Sequence, residues 1–198
     1  KKYLPGSTVE VILESSNRPF SGGRIVDGRC AFFRKGNYAQ PTQIRIRTFS
    51  SVRQTTSKLL EEIGRTLRHE MHHYRFFEAG NRVDRLIDQF IYEGAAIAFE
   101  IELDPANPPP YSNALNDVEK RKLFAEVSQE LLETGSYNKW MFGSGNKPMW
   151  AGYSLAYEMI KSYLIRNPEI NSTNLIRHAP VDKFLDFFKS KESSNFAG

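Results

Sequence analysis

Hydrophobic and polar residues alternate in the first quarter of the chain. Apolar residues recur at every second position over residues 8–14, and a second apolar run, at 31–33, follows the turn signal Gly22-Gly23. The segment 43–49 alternates most clearly, which is typical of a strand with one buried and one solvated face. We therefore expect three strands before residue 50.

The spacing of apolar residues changes to three and four from residue 55. This period predicts a helix from Thr55 to about Glu78, which Gly80 ends. Asn81 is the expected N-cap of a second helix, with Asp84 three residues further on. The apolar positions that define the first helix are Leu60, Ile63, Leu67, Met71 and Tyr74.

The second half of the chain is predicted to be mainly helical. The proline-rich segment 104–114 cannot continue a helix and is expected to form a loop. A third helix is predicted from about Asn116 to Thr134, and two more near 150–166 and 180–190. The fold class is therefore α+β. We expect one domain over 1–198, in which 1–103 holds the sheet and first two helices and 104–198 closes a cleft.

Composition fits a soluble globular protein and excludes several classes. Hydrophobic residues make up 40% and charged residues 25% of the 198 positions. The net charge of +4 comes from scattered basic residues, so we expect no nucleic-acid partner. The longest apolar stretch, 90–99, is too short to span a bilayer and contains Glu93. The single Cys30 excludes an internal disulfide framework, and the oligomeric state is not predicted.

The first helix carries the sequence His69-Glu70-Met71-His72-His73. Positions i and i+4 lie on one helix face, so the imidazoles of His69 and His73 can reach one metal ion. The carboxylate of Glu70 is expected to take a proton from a metal-bound water. Glu93 follows 20 residues later inside an apolar segment, where an unpaired charge would be costly. This pattern predicts one Zn²⁺ per chain, with His69, His73 and Glu93 as ligands.

Each of these residues also has a simpler interpretation. A His-x-x-x-His pair arises by chance on surface helices, and Glu93 could form an ion pair with Arg65 or Arg68. His72 points about 100° away from His73 around the helix, so we expect a surface or supporting histidine. Gly94 weakens its helix, which is understandable if another helix approaches closely; we expect the helix that carries His69 to be that neighbour.

A donor for the oxyanion of the reaction is harder to predict. Tyr153 and Tyr157 share a helix face after the glycine-rich segment 143–148, and a phenol can stabilise a tetrahedral intermediate. Simple packing explains both tyrosines equally well. His178 is a third candidate, although a distant histidine is usually structural.

These motifs resemble two groups of zinc peptidases. The His-Glu-x-x-His pair with a glutamate 20 residues downstream is similar to the gluzincins, the thermolysin-like enzymes. Three blocks, Leu67–His73, Ile91–Ala96 and Trp150–Leu155, resemble the DUF2268, or YjaZ-like, family of predicted zinc proteases. The resemblance implies a zincin-like fold with an N-terminal antiparallel or mixed sheet packed on the active-site helix. It also implies ligands at His69, His73 and Glu93, a general base at Glu70 and a functional tyrosine at Tyr153. Ile97 stands where thermolysin-like enzymes have an aspartate that orients a ligand histidine, so either another group holds the imidazoles or none does.

The expected function is that of a zinc metallopeptidase, an endopeptidase that acts on a peptide or protein substrate. The strand 43–49 is the expected sheet edge for an extended substrate. One alternative is a metal-binding or scaffold domain without catalysis. Another is a deformylase-type amidohydrolase, in which Cys30 would be the third ligand. The activity class and an N-terminal residue other than Met mildly favour secretion or the cell envelope.

Overall fold

The computed structural model describes residues 9–17, 26–35, 38–49, 55–177 and 181–189. Contacts between Cα atoms divide the chain into two compact units, Lys1–Gly80 and Asn81–Gly198. The first unit contains a three-stranded mixed sheet and one helix, and the second contains the other helices. The α+β prediction is confirmed, whereas a single domain with halves 1–103 and 104–198 stays a prediction.

The sheet of the first unit has the order β1-β3-β2, with β1 at Glu10–Ser16, β2 at Val26–Lys35 and β3 at Tyr38–Phe49. Strand β1 pairs with β3 in parallel and β2 pairs with it antiparallel. The expectation that 43–49 forms an exposed sheet edge is therefore wrong. Both edges of this segment are hydrogen-bonded, because β1 pairs with one edge of β3 and β2 pairs with the other.

The two faces of β3 differ as the alternation predicts. Ile44 and Ile46 are fully buried. On the opposite face the guanidinium groups of Arg45 and Arg47 form ion pairs with Glu14 of β1, at 2.8 and 3.0 Å. The hydrophobic face lies against the helix that follows.

That helix, α1, spans Thr56–Glu78, very close to its predicted bounds. The Thr55 hydroxyl accepts a hydrogen bond from the backbone N–H of Lys58 (3.3 Å), which satisfies one of the unpaired donors of the first turn. After the last turn Gly80 adopts a φ of +84°, a conformation that glycine tolerates best. The helix packs against β2 and β3, so the predicted packing of sheet and active-site helix is confirmed within this unit.

The second unit begins with helix α2, at Leu86–Leu103. The prediction that Asn81 caps this helix is wrong. The Asn81 amide instead donates to the carbonyl oxygen of Ile176 (2.6 Å), and the Asp88 carboxylate accepts from the backbone N–H of Arg85 (2.9 Å). The acidic group that meets the helix N-terminus therefore lies four residues later than expected.

The third helix is shorter than predicted. A short 3-10 helix, Pro110–Asn113, precedes it, and α3 runs from Asp117 to Val127 with Asn116 as its cap. The residues that follow form turns, and the carbonyl groups of Leu131 and Glu133 accept hydrogen bonds from the first N–H groups of α2.

The remaining helices are α4 at Tyr137–Met141, α5 at Ala151–Arg166, α6 at Ser172–Leu175 and α7 at Val181–Lys189. They pack on α2 or, in the case of α4, on α5. The two short ones, α4 and α6, were not predicted. A search of the described helices finds none with the length and hydropathy needed to cross a membrane.

Helix α5 is the close neighbour that Gly94 accommodates. A Cβ atom at Gly94 would lie 2.3 Å from the carbonyl oxygen of Ala156 and 2.8 Å from Ile160 Cγ1. The expectation of a close helix contact is thus confirmed, but α5 makes it rather than α1 as predicted.

Candidate metal centre

The two histidines of the motif lie one turn apart on α1. Their ring centroids are 4.4 Å apart and the ring planes are nearly perpendicular, at 85°. His69 is 8% exposed and His73 is 4% exposed. Burial of both imidazoles on one helix face is the arrangement that the i, i+4 spacing predicts.

Glu93 is buried in the middle of α2, where 4% of its surface is exposed. The side chains of Phe90 and Ile91 beside it are almost fully buried. Its carboxylate oxygen Oε1 accepts a hydrogen bond from the hydroxyl of Tyr137 (3.0 Å). The prediction that this acid enters the interior is confirmed.

His69, His73 and Glu93 form a group that could hold a metal ion. Each offers one ligand atom, and these atoms lie within 4.8 Å of one another. Zinc with bonds of about 2.0–2.1 Å in tetrahedral geometry separates its ligand atoms by roughly 3.3 Å. The donors therefore need to close by at most about 1.5 Å, which side-chain rotation can supply. Two imidazoles and one carboxylate also match the donor set of catalytic zinc sites.

Glu70 is buried beside the strand β2. It is 6% exposed, and a Cβ atom built at Gly28 would lie 2.7 Å from Glu70 Cγ and 2.8 Å from its Oε1. The absence of a side chain at Gly28 is thus what leaves room for the Glu70 side chain. No sequence pattern indicated this contact.

Cys30 lies on the same strand and is also buried. Burial, and secondarily the charge of Glu70, raises the pKa of its thiol to about 12. The possible metal group found among the described residues does not include Cys30, which weighs against the deformylase alternative.

Tyr137 was not among the residues predicted for the site. Its hydroxyl also lies 3.2 Å from the hydroxyl of Tyr153, so a chain of hydrogen bonds connects Glu93, Tyr137 and Tyr153. Burial and the negative charge of Glu93 raise the pKa of Tyr137 well above its usual value, which keeps this phenol protonated. Tyr137 lies 44 residues after Glu93, and no regular spacing connects the two.

The other candidates have different surroundings. Tyr157 lies one turn after Tyr153, and burial together with the charges of Glu158 and Glu102 raises its pKa. His178 lies outside the described residues. The role predicted for Tyr153 stays a prediction.

Two of the simpler interpretations can also be compared with the structure. His72 is 2% exposed, so a surface position is wrong, whereas the alternative of a supporting histidine stays a prediction. Arg65, a possible partner of Glu93, forms ion pairs with Glu62 and Glu61 of its own helix.

These features define an α+β protein with a buried His-His-Glu group suited to a metal ion. The family model of DUF2268, described as a predicted Zn-dependent protease, matches residues 33–185. The chain therefore belongs to this family, and the resemblance seen in the three motif blocks is confirmed. No curated protein and no solved structure matches the chain.

Proposed function

We propose that this chain is a zinc-dependent metallopeptidase that hydrolyses peptide bonds in a peptide or protein substrate. The observation that carries the proposal is the buried group of His69, His73 and Glu93. Burying an ionised carboxylate is costly unless its charge is balanced, and a divalent cation held by these donors would balance it. The name of the family, a predicted Zn-dependent protease, supports the same class.

The residues around this group supply the remaining chemistry. Bound zinc would act as a Lewis acid, lowering the pKa of water towards about 7 and polarising the scissile carbonyl. Glu70 accepts the proton of the attacking water and then delivers it to the leaving amine. Tyr153 donates a hydrogen bond to the carbonyl oxygen as negative charge develops there. His69, His73 and Glu93 would hold the ion.

The test compares zinc content and peptide cleavage in the same preparations. Wild type is expected to hold about one equivalent of zinc by mass spectrometric elemental analysis and to cleave members of a peptide library. Glu70→Gln keeps the shape of the side chain but removes the base, so it should retain zinc and lose at least about 100-fold in kcat. Glu61→Gln is the matched control, because Glu61 lies on the same helix with a side chain 50% exposed.

Three outcomes would contradict the proposal in different ways. A wild-type chain that binds no zinc, even after dialysis against the ion, lacks the site. A chain that binds zinc but cleaves nothing in a broad library would favour a metal-binding or scaffold domain. Equal cleavage by Glu70→Gln and wild type would remove Glu70 from the mechanism.

A further inference from the structure

A hydroxyl from the short helix α4 reaches the carboxylate of Glu93. Tyr137 Oη lies 3.0 Å from Glu93 Oε1, and Glu93 is almost completely buried. We propose that Tyr137 is a positioning residue, whose hydrogen bond fixes the rotation of the Glu93 carboxylate in which it binds the metal. This inference rests on the proposed function, since it assigns a partner to the third zinc ligand.

The direction of the hydrogen bonds follows from the donors present. An ionised carboxylate only accepts, so Tyr137 donates its single hydroxyl proton to Glu93. The contact of 3.2 Å between the Tyr137 and Tyr153 hydroxyls then uses the proton of Tyr153. Tyr153 therefore supports Tyr137 in this arrangement, and it must release Tyr137 before it can donate to a substrate oxygen.

Helix α4 is anchored firmly enough to hold a hydroxyl in place. Trp140 is fully buried, and its Nε1 donates to Glu130 Oε2 (2.9 Å). Gly152 lets α5 approach, since a Cβ atom there would lie 2.6 Å from Met141 Sδ and 2.9 Å from the carbonyl carbon of Trp140. A side chain based on such a helix has little freedom to follow a moving carboxylate. Tyr137 therefore acts as a fixed donor.

Ligand carboxylates of metal sites are commonly held by hydrogen bonds from residues that do not touch the metal. Loss of such a partner typically weakens metal affinity by about 10- to 100-fold. Without the Tyr137 hydroxyl, the Glu93 carboxylate loses one of the contacts that restrict its rotation, and binding the ion must then supply that restriction. The expected consequence is weaker zinc binding, independent of any effect on turnover.

The test is the zinc dissociation constant of Tyr137→Phe, measured on the full chain by competition with a chromophoric chelator. We expect a constant about 10- to 100-fold higher than that of wild type. The visible absorption spectrum of the Co²⁺-loaded protein should also change, because the ligand carboxylate is oriented differently. Tyr163→Phe is the matched control, since Tyr163 is 5% exposed and its hydroxyl has no hydrogen-bond partner among the described residues.

The possible results separate the two proposals. If wild type binds no zinc, the proposed function is wrong, and the role of Tyr137 as a partner of a zinc ligand is wrong with it. If wild type binds zinc and Tyr137→Phe binds it equally well, the metallopeptidase proposal survives and the role of Tyr137 is wrong. An equal loss in Tyr163→Phe would show a general packing effect and also overturn it.

Circular dichroism of the metal-free proteins establishes whether Tyr137→Phe is folded. If it is not, Tyr153→Phe decides the question, because it leaves the Tyr137 hydroxyl in place but removes the donor that polarises it. A loss of zinc affinity smaller than 10-fold supports the chain of hydrogen bonds. An unchanged dissociation constant overturns it.

Discussion

The contact between Gly28 and α1 makes a quantitative prediction for Gly28→Ala. A Cβ atom at this position would lie 2.4 Å from Thr66 Cγ2, 2.7 Å from Glu70 Cγ and 2.8 Å from Glu70 Oε1. Ordinary van der Waals contact starts near 3.4 Å, so the new methyl group and its neighbours must separate by about 1 Å. Thr66 and Glu70 are both buried, and neither can simply turn towards solvent.

The magnitude follows from these distances. Overpacking of a buried contact typically reduces the free energy of unfolding by about 1–3 kcal/mol. The Glu70 atoms must move by about 0.6–0.7 Å to reach 3.4 Å, and a displacement of about 1 Å at a reacting group can reduce turnover by roughly 100-fold. Gly28→Ala should therefore unfold at lower urea concentration and show a kcat roughly 10- to 100-fold below that of wild type. Zinc content should not change, because Glu70 is not a ligand in the proposed site.

The assay uses urea unfolding, elemental analysis and cleavage of the best peptide from the library. Gly64→Ala is the control on α1, since the nearest atom to its added Cβ would be Arg68 Nη1 at 3.7 Å. Alanine in place of a helical glycine should stabilise the chain by about 0.5–1 kcal/mol. The reasoning is refuted if Gly28→Ala matches wild type in both stability and kcat.

A double variant, Gly28→Ala with Thr66→Ser, separates the two effects. Serine lacks the methyl group that makes the shortest contact, so part of the stability should return. The contacts with Glu70 stay, and kcat should remain low. Recovery of kcat together with stability would show that Glu70 is not displaced.

Three further predictions concern Cys30 and Gly94. The Cys30 thiol has a pKa of about 12 instead of the usual 9, so its thiolate at pH 8 is roughly 1,000-fold scarcer. Iodoacetamide should therefore alkylate Cys30 at least that much more slowly in the folded than in the urea-unfolded chain. Comparable alkylation rates would contradict the burial of the thiol. Cys30→Ser should keep its zinc, and loss of the metal would revive the deformylase alternative. Gly94→Ala places a methyl group 2.3 Å from the backbone oxygen of Ala156, which cannot rotate away. We expect the free energy of unfolding, measured in urea, to fall by about 3 kcal/mol. Wild-type stability would show that α2 and α5 can separate.

Elements whose signals are local were predicted well from the sequence. The alternation before residue 50 predicted three strands, although β2 and β3 each begin five residues earlier than the patterns indicated, and the 3.6 period after Thr55 predicted α1 with bounds close to those observed. Predictions failed where a distant group competes for a backbone or side-chain partner. Asn81 has the chemistry of a cap, yet its amide finds the carbonyl oxygen of Ile176, 95 residues away. The third helix ends at Val127, and the turn residues Leu131 and Glu133 after it accept hydrogen bonds from the first N–H groups of α2, 44 to 47 positions earlier in the chain.

The same division applies to the candidate site. His69, Glu70 and His73 share one helix, so the helical period alone determines which of them face together. The burial of Glu93 followed from its apolar neighbours. Tyr137 and Gly28 could not be predicted, because each acts through a contact that only the folded chain creates.

Gly28 and Tyr137 suggest what separates a working site from a motif that occurs by chance. A His-Glu-x-x-His helix needs space for its glutamate, and here a strand residue without a side chain supplies it. A glutamate ligand on another helix needs a donor that fixes its carboxylate, and here a tyrosine hydroxyl supplies it. Both requirements are steric or directional, and neither has a fixed spacing from the motif. A chain with the motif but with a bulky residue opposite Glu70 could bind the metal and still fail to use the base.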